Sequence, residues 1–102
     1  MNEPMKYTVI GAGNGGKAMA AHMALMGKEV TLYNRTYANI EVIAERGGID
    51  LDNPGGLDGF GRLAKVTDNM EVALDGADLI MVVVPSSAHH DIAQAMAPYL
   101  QD

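Results

Sequence analysis

Three glycines between a predicted strand and a predicted helix constrain the fold of this chain more than any other feature. Residues 7–10 are aromatic, β-branched and apolar, which is typical of a short buried strand, and Gly11 ends it. Apolar residues recur at helical spacing from position 14 to position 26, and Gly27 supplies a helix C-cap. A strand, a turn spelled Gly-x-Gly-x-x-Gly and a helix thus follow one another, which is the arrangement of dinucleotide-binding turns.

Each glycine of this turn has a physical task. Gly11 permits a tight turn, Gly13 lets the backbone approach a pyrophosphate without a Cβ, and Gly16 lets the helix pack closely on the strand. The start of the helix offers unpaired amides and the positive end of the helix dipole. We therefore predict that a dinucleotide binds here; a glycine-rich turn without a ligand is the alternative. The residues of the predicted site are Gly11, Ala12, Gly13, Asn14, Gly15 and Gly16.

The end of the second predicted strand indicates which dinucleotide binds. An acidic residue there would hydrogen-bond the ribose 2′-hydroxyl of NAD or FAD, but Asn34 occupies the position and Arg35 follows it. An amide can hold the ribose while a guanidinium pairs with a 2′-phosphate. The sequence therefore favours NADP, with NAD as the alternative cofactor, and disfavours a flavin.

Two residues near this strand end have alternative interpretations. Arg35 could instead be a solvated charge beside Glu41 and Glu45 of the next predicted helix. Thr36 could bind the phosphate with its hydroxyl or cap that helix, and capping is the preferred interpretation. Tyr33 is predicted to lie in the core.

The rest of the chain continues to alternate between strands and helices. Residues 40–44 predict a short helix closed by Gly47 and Gly48, and the glycine-rich stretch 53–61 predicts a loop between two short strands. Asp68 and Glu71 have the spacing of a capping box at the start of another short helix. The alternation predicts a doubly wound α/β fold of the Rossmann type with a mostly parallel sheet.

An unbroken apolar run at residues 79–84 predicts a strand buried on both faces of that sheet, with Pro85 ending it. Ligands bind at the carboxyl edge of such sheets, so Val84, Pro85 and Ser86 are predicted to border the nicotinamide. Ser86 either donates to the cofactor or caps the next helix, which Pro98 should end near position 97.

The only adjacent histidines of the chain, His89 and His90, are followed by Asp91 and suggest metal or acid–base chemistry. Neighbouring residues of a helix point about 100° apart, so the two imidazoles are badly placed for one ion, and no metal is predicted. His89 is the histidine nearest the strand end, whereas His90 and Asp91 are predicted to lie on the surface. His22 is predicted to be partly buried.

Length and charge exclude several classes of protein. The chain has 102 residues, which suffices for one domain, 1–102, and a net charge of −6, which argues against nucleic acid and anionic membranes as partners. It has no cysteine and no apolar segment of membrane-spanning length, so we expect a cytoplasmic protein. The chain ends where another strand is expected, which suggests a sheet incomplete at its C-terminus.

Two blocks of sequence resemble the cofactor domain of the octopine/nopaline (opine) dehydrogenase family. They read VIGAGNGGKAMAAHMALMGKEVTLYNRT and ADLIMVVVPSSAH. The resemblance implies an enzyme that reduces the imine formed from a 2-keto acid and an amino acid, using a nicotinamide hydride. It also implies that the catalytic His and Asp lie in a C-terminal domain that is absent here, so no residue of this chain is expected to be catalytic.

By this resemblance the glycine turn holds pyrophosphate, Asn34 and Arg35 hold the ribose end, and Pro85, Ser86 and His89 lie near the nicotinamide. We expect this chain alone to bind NADP(H) without turning over a substrate. The competing hypothesis is a separate dinucleotide-sensing module that signals through a partner. In that case the exposed edge of the sheet would be covered by self-association as a homo-oligomer.

Overall fold

The computed structural model describes residues 5–52, 56 and 58–100. Within these residues, six strands and four α-helices alternate in a largely regular order. They are β1 (Lys6–Ile10), α1 (Asn14–Leu25), β2 (Glu29–Tyr33), α2 (Glu41–Arg46), β3 (Gly48–Leu51), β4 (Gly59–Arg62), β5 (Lys65–Thr67), α3 (Met70–Leu74), β6 (Leu79–Val82) and α4 (His89–Met96). Short 3-10 turns cover Tyr37–Asn39, Ser86–Ala88 and Ala97–Tyr99.

Four of the strands form one parallel sheet in the order β5-β2-β1-β6. Side chains alternate across the sheet, so Val9 and Leu32 pack in one core cluster, while Ile10 and Tyr33 pack in the other. Met23 of α1 belongs to the first cluster, and residues of α3 and α4 belong to the second. The prediction of a doubly wound, mostly parallel α/β fold is therefore confirmed.

The remaining two strands, β3 and β4, form an antiparallel hairpin that packs on α1. Gly61 makes this contact, because a Cβ at that position would lie 2.8 Å from the carbonyl oxygen of Ala21. The sequence predicted a loop as far as position 61, so the prediction is wrong for β4, where glycine is needed for close approach to a helix. Positions 53–55 and 57 of the predicted loop lie outside the described residues.

The ends of the short helices are determined by local backbone geometry. Gly47 adopts a left-handed conformation, with φ of 78°, and caps α2 as predicted, whereas Gly48 already belongs to β3. The N-cap of α3 is Asn69, whose Oδ1 accepts a hydrogen bond from the backbone N–H of Val72 at 3.1 Å. The capping box predicted at Asp68 is wrong by one residue, because Asn69 has the extended backbone of an N-cap.

Strand β6 lies at an edge of the sheet, and the prediction that it is buried on both faces is wrong. Among the described residues it pairs with β1 alone, and the side chains of Leu79 and Val82 are 43% and 36% exposed. An apolar run identifies a strand but does not show how many neighbours that strand has.

The last described helix ends as predicted, because α4 stops at Met96 and Pro98 lies in the following 3-10 turn. The longest helix of the described part is α1, with 12 residues. None of the helices in this part is long and apolar enough to cross a membrane.

Candidate functional site

The turn after β1 lies between the ends of β2 and β6, and its first glycine is required by that position. Gly11 has a φ of 113°, and its N–H donates to the carbonyl oxygen of Tyr33 at 2.8 Å. A Cβ at Gly11 would collide with the carbonyl oxygen of Val83 and lie 2.8 Å from Cγ1 of Val84. The tight turn predicted at Gly11 is therefore present, and the protein itself requires the glycine.

Gly16, the last glycine of the turn, also has a structural reason. A Cβ at this position would collide with the carbonyl oxygen of Gly11, so α1 can pack on the turn only if residue 16 lacks a side chain. This is the close packing that the sequence predicted. By contrast, a Cβ at Gly15 would make an ordinary contact, 3.4 Å from Cγ1 of Val83.

Gly13 differs from its two partners, because no atom of the described residues, apart from its own and those of its chain neighbours, lies within 4 Å of the position that its Cβ would occupy. Its φ is −72°, which any residue adopts, so neither packing nor backbone strain requires glycine there. Gly13 is the N-cap of α1, and no side chain caps the helix. The first turn contains no acidic residue. The amides at the start of α1 therefore have no side-chain cap, and they can bind an anion that approaches the backbone beside Gly13.

The side chain of Asn34 bridges the glycine turn and the segment after β2. Its Oδ1 accepts a hydrogen bond from the N–H of Ala12 at 3.2 Å, and its Nδ2 donates to the carbonyl oxygen of Thr36 at 2.9 Å. The sequence predicted that this amide holds a ribose. In the structure both of its polar atoms bind backbone groups of the protein, and the ribose contact stays a prediction.

Arg35 and Thr36 are both exposed beside a cleft of about 190 Å³, which we call the Arg35 cleft. In the described part of the chain, the ion pairs join Lys6 to Glu29 and Arg46 to Asp50, so neither involves Arg35. Thr36 precedes the 3-10 turn Tyr37–Asn39 as its N-cap residue, but its side chain makes no capping hydrogen bond. The capping role preferred from the sequence is therefore wrong.

The Arg35 cleft is formed by two segments that are distant in sequence. Residues at the end of β2 form part of its lining, and the turn between β6 and α4, together with α4, supplies a mainly apolar wall. The residues that line the cleft are Gly11, Tyr33, Asn34, Arg35, Thr36, Asn39, Val84, Pro85, Ala88 and Ile92. A site for a whole drug-sized ligand measures roughly 300–1,000 Å³, so the cleft has room for part of a dinucleotide.

This arrangement brings together residues that the sequence placed at different parts of the cofactor. Val84 and Pro85 share the cleft with Arg35, although they were predicted to border the nicotinamide. Sequence reasoning also missed Ala88 and Ile92 as cleft residues. Ile92 is a buried residue of α4, and only the three-dimensional structure shows which cavity it borders.

His89 lies against the end of the same turn, because its Nε2 is 3.1 Å from the carbonyl oxygen of Val84. A carbonyl oxygen only accepts hydrogen bonds, so Nε2 carries the proton in this contact. His90 and Asp91 are exposed, as predicted, but His22 is exposed as well and its predicted partial burial is wrong. Ser86 lies in the 3-10 turn Ser86–Ala88, and the prediction for its hydroxyl falls outside the described residues.

Tyr33 lies beneath the cleft and is 5% exposed, which confirms its predicted place in the core. Burial raises the pKa of its phenol above the usual value of 10.0. The positive charge of Arg35 lowers this pKa, and the negative charge of Asp68 raises it. The phenol is therefore neutral at physiological pH, and its pKa depends on the charges of Arg35 and Asp68.

The chain matches known dehydrogenases over nearly its whole length. A family model described as the N-terminus of NAD-dependent glycerol-3-phosphate dehydrogenase matches residues 6–102. An opine dehydrogenase of Arthrobacter sp. (strain 1C) is 37% identical over 102 residues, which are 100% of this chain and 28% of that protein. A glycerol-3-phosphate dehydrogenase (NAD(P)+) of Stenotrophomonas maltophilia (strain R551-3) is 35% identical over 95 residues, 91% of this chain and 27% of that protein.

Solved structures lead to the same group of proteins. An octopine dehydrogenase in complex with NADH and agmatine superposes with a TM-score of 0.76 at 30% identity, over 95% of this chain and 26% of that one. The chain thus spans little more than a quarter of these relatives, and the resemblance to opine dehydrogenases noted in the sequence is confirmed. The chain belongs to the family of the N-terminal, NAD(P)-binding domain of NAD-dependent glycerol-3-phosphate dehydrogenase.

Proposed function

We propose that this chain binds NADP(H) as the cofactor domain of a longer oxidoreductase of the opine dehydrogenase type. One observation carries the dinucleotide part of the proposal. Gly13 is a glycine that no protein contact requires, at the uncapped start of a helix and facing open space. A ligand that must approach the backbone closely explains this glycine, and the pyrophosphate of a dinucleotide is such a ligand.

The choice of NADP rests on Arg35. Its guanidinium lies at the end of β2 beside the cleft and takes part in neither ion pair found in the described residues. A carboxylate that would accept from a ribose 2′-hydroxyl is replaced by Asn34. Arg35 would pair with the 2′-phosphate, and the hydroxyl of Thr36, which caps no helix, would add a donor.

The apolar wall of the Arg35 cleft fits the adenosine half of the cofactor. A flat purine can pack against this wall, which consists of Val84, Pro85, Ala88 and Ile92 and belongs to the same cleft as the cationic end of β2. Ser86 lies in the 3-10 turn within this segment and His89 is the first residue of α4; we propose that they contact the cofactor toward its nicotinamide.

When bound, NADP(H) supplies the hydride that is transferred to an imine or keto-acid-derived substrate. The residues of this chain bind and orient the cofactor, which is the contribution that a protein makes to hydride transfer. No catalytic residue is assigned here. The acid–base groups and the substrate contacts would belong to a further domain, in keeping with the share of the relatives that this chain spans.

Calorimetric titration of the 102-residue chain with NADPH and with NADH tests the proposal. We expect NADPH to bind at least tenfold more tightly, because a charge-assisted contact to the 2′-phosphate contributes about 1.5 to 3 kcal/mol. Equal binding of both would refute the NADP assignment but keep the dinucleotide site. If neither NADPH nor NADH binds, the dinucleotide site is refuted.

A further inference from the structure

The two hydrogen bonds of Asn34 indicate a role that differs from direct cofactor contact. We infer that Asn34 is a positioning residue that sets the preference for NADP by holding the Arg35–Thr36 segment against the glycine turn. The inference rests on the proposed function, because it concerns the same cofactor site. Both the oxygen and the nitrogen of the Asn34 side chain are already hydrogen-bonded to the backbone of the protein.

The chemistry of the amide explains why asparagine suits this position. Its oxygen faces the N–H of Ala12, and its nitrogen faces the carbonyl oxygen of Thr36, so an acceptor and a donor are needed at once. A carboxylate could accept from Ala12 but would place an acceptor against the Thr36 carbonyl. Alanine would lose both bonds. Aspartate would therefore free only the segment after β2, whereas alanine would free the glycine turn as well.

Holding this segment matters because Arg35 is exposed and has a long, flexible side chain. A flexible side chain that becomes ordered on binding loses conformational entropy, which weakens the affinity. A backbone that is already fixed before binding makes this entropy loss smaller. The backbone of Asn34 is also tied to β5, through its N–H and the carbonyl oxygen of Thr67 at 3.2 Å. The Thr36 carbonyl bond extends this fixed backbone past Arg35.

The same side chain also links the two phosphate-binding parts of the proposed site. Its oxygen holds the N–H of Ala12 within the glycine turn, and its nitrogen holds the segment that carries Arg35. Loss of the first bond should affect NADPH and NADH alike, since both contain pyrophosphate. Loss of the second should affect NADPH alone, since the 2′-phosphate distinguishes the two cofactors.

A double-mutant cycle between Asn34 and Arg35 tests this inference. We expect Asn34→Ala to lower the preference for NADPH over NADH roughly fivefold, the loss expected for one ordinary hydrogen bond, because only the bond to Thr36 distinguishes the two cofactors. In an Arg35→Ala background, Asn34→Ala should change that preference much less, because the main phosphate contact through which it acts is gone. Equal changes in both backgrounds would overturn the inference and indicate that Asn34 contacts the cofactor directly.

Asn69→Ala is the matched control. Asn69 is another asparagine at the same edge of the sheet whose Oδ1 accepts from a backbone N–H, but it does not line the Arg35 cleft. This variant should leave the preference between the cofactors unchanged. A change equal to that of Asn34→Ala would also overturn the inference, because a general loss of stability would then explain both.

A measurement without cofactor separates this inference from the proposed function. In ¹⁵N NMR spectra, Asn34→Asp should keep the hydrogen-bonded signature of the Ala12 amide while shifting the amides of Thr36 and Tyr37; Asn34→Ala should shift all three. Unchanged spectra in both variants would overturn the bridging role, whatever cofactor the chain binds. If the spectra change as expected but the wild-type chain binds the two cofactors equally, the proposed NADP preference fails and the bridge stands.

Discussion

The carbonyl oxygen of Gly11 lies against the α-carbon of Gly16, so close that a Cβ at position 16 would collide with it. The contact joins the end of β1 to the first turn of α1. It places the helix N-terminus beside the sheet edge, where a ligand can meet its free amides. The position of the proposed site thus depends on a glycine that itself need not touch the ligand.

Gly16→Ala should destabilise the fold by about 3 kcal/mol, because a new methyl group must displace backbone atoms. Helix propensity alone would instead predict that alanine stabilises the fold by roughly 1 kcal/mol. Gly15→Ala is the matched control, since its methyl group would make an ordinary contact with Val83. Urea unfolding followed by circular dichroism measures both. Equal stability of the two variants would show that the close contact is absent.

Gly13→Ser should leave the fold at least as stable, because the serine hydroxyl can cap α1 and nothing occupies the space around its Cβ. Binding of NADPH and of NADH should fall together by more than tenfold, since the side chain fills the approach to the pyrophosphate. Calorimetry and thermal unfolding measure the two effects. A variant that still binds both cofactors normally would remove Gly13 from the site.

Arg35→Ala should weaken NADPH roughly 10- to 100-fold and leave NADH nearly unchanged, because only NADPH carries the charge that the guanidinium would pair with. Arg46→Ala serves as the control, as Arg46 is a half-exposed arginine of α2 in its own ion pair with Asp50. It should alter neither affinity. Equal losses for both cofactors in Arg35→Ala would argue against recognition of a 2′-phosphate.

The pKa of Tyr33 should report the charges beside the cleft. Arg35→Ala should raise this pKa further and Asp68→Asn should lower it, since burial raises it while Arg35 opposes and Asp68 adds to the shift. Ring resonances of Tyr33 followed by NMR across alkaline pH measure the changes. A pKa that does not rise in Arg35→Ala would show that the guanidinium does not lie near the phenol.

The same raised pKa has a consequence for stability. The folded chain holds the phenolic proton more tightly than the unfolded chain. The protonated phenol therefore contributes to the free energy of unfolding, and the contribution is fully present below the unfolded pKa of about 10. It should be lost as the pH rises through that value toward the folded pKa. In Tyr33→Phe the free energy of unfolding should depend less on pH in this range, which urea unfolding at a series of alkaline pH values would measure.

Local signals in the sequence predicted the framework of the site correctly. The glycine turn between β1 and α1 follows from residue types and spacing, because the tight turn at Gly11 and the close packing at Gly16 are general features of a strand–turn–helix unit of this kind. The same is true of the cap at Gly47 and the helix end before Pro98. These features depend on backbone conformation, which glycine and proline determine directly.

The features that sequence reasoning missed depend on contacts between distant segments. Gly61 belongs to a strand because it meets Ala21 on α1, and Asn34 is bonded to Ala12, 22 positions earlier. The exposure of β6 follows from the order of the strands, as does the wall that Ile92 contributes to the Arg35 cleft. Neither periodicity nor turn chemistry contains this information.

Separate titrations with NADPH and NADH, followed by amide shifts in ¹⁵N NMR spectra, would locate both cofactors on this chain. We expect both to shift the amides of residues 13–16 at the start of α1, and NADPH alone to shift those of Arg35 and Thr36 strongly. Shifts confined to another surface would refute the proposed site, and equal shifts at Arg35 with both cofactors would refute recognition of the 2′-phosphate.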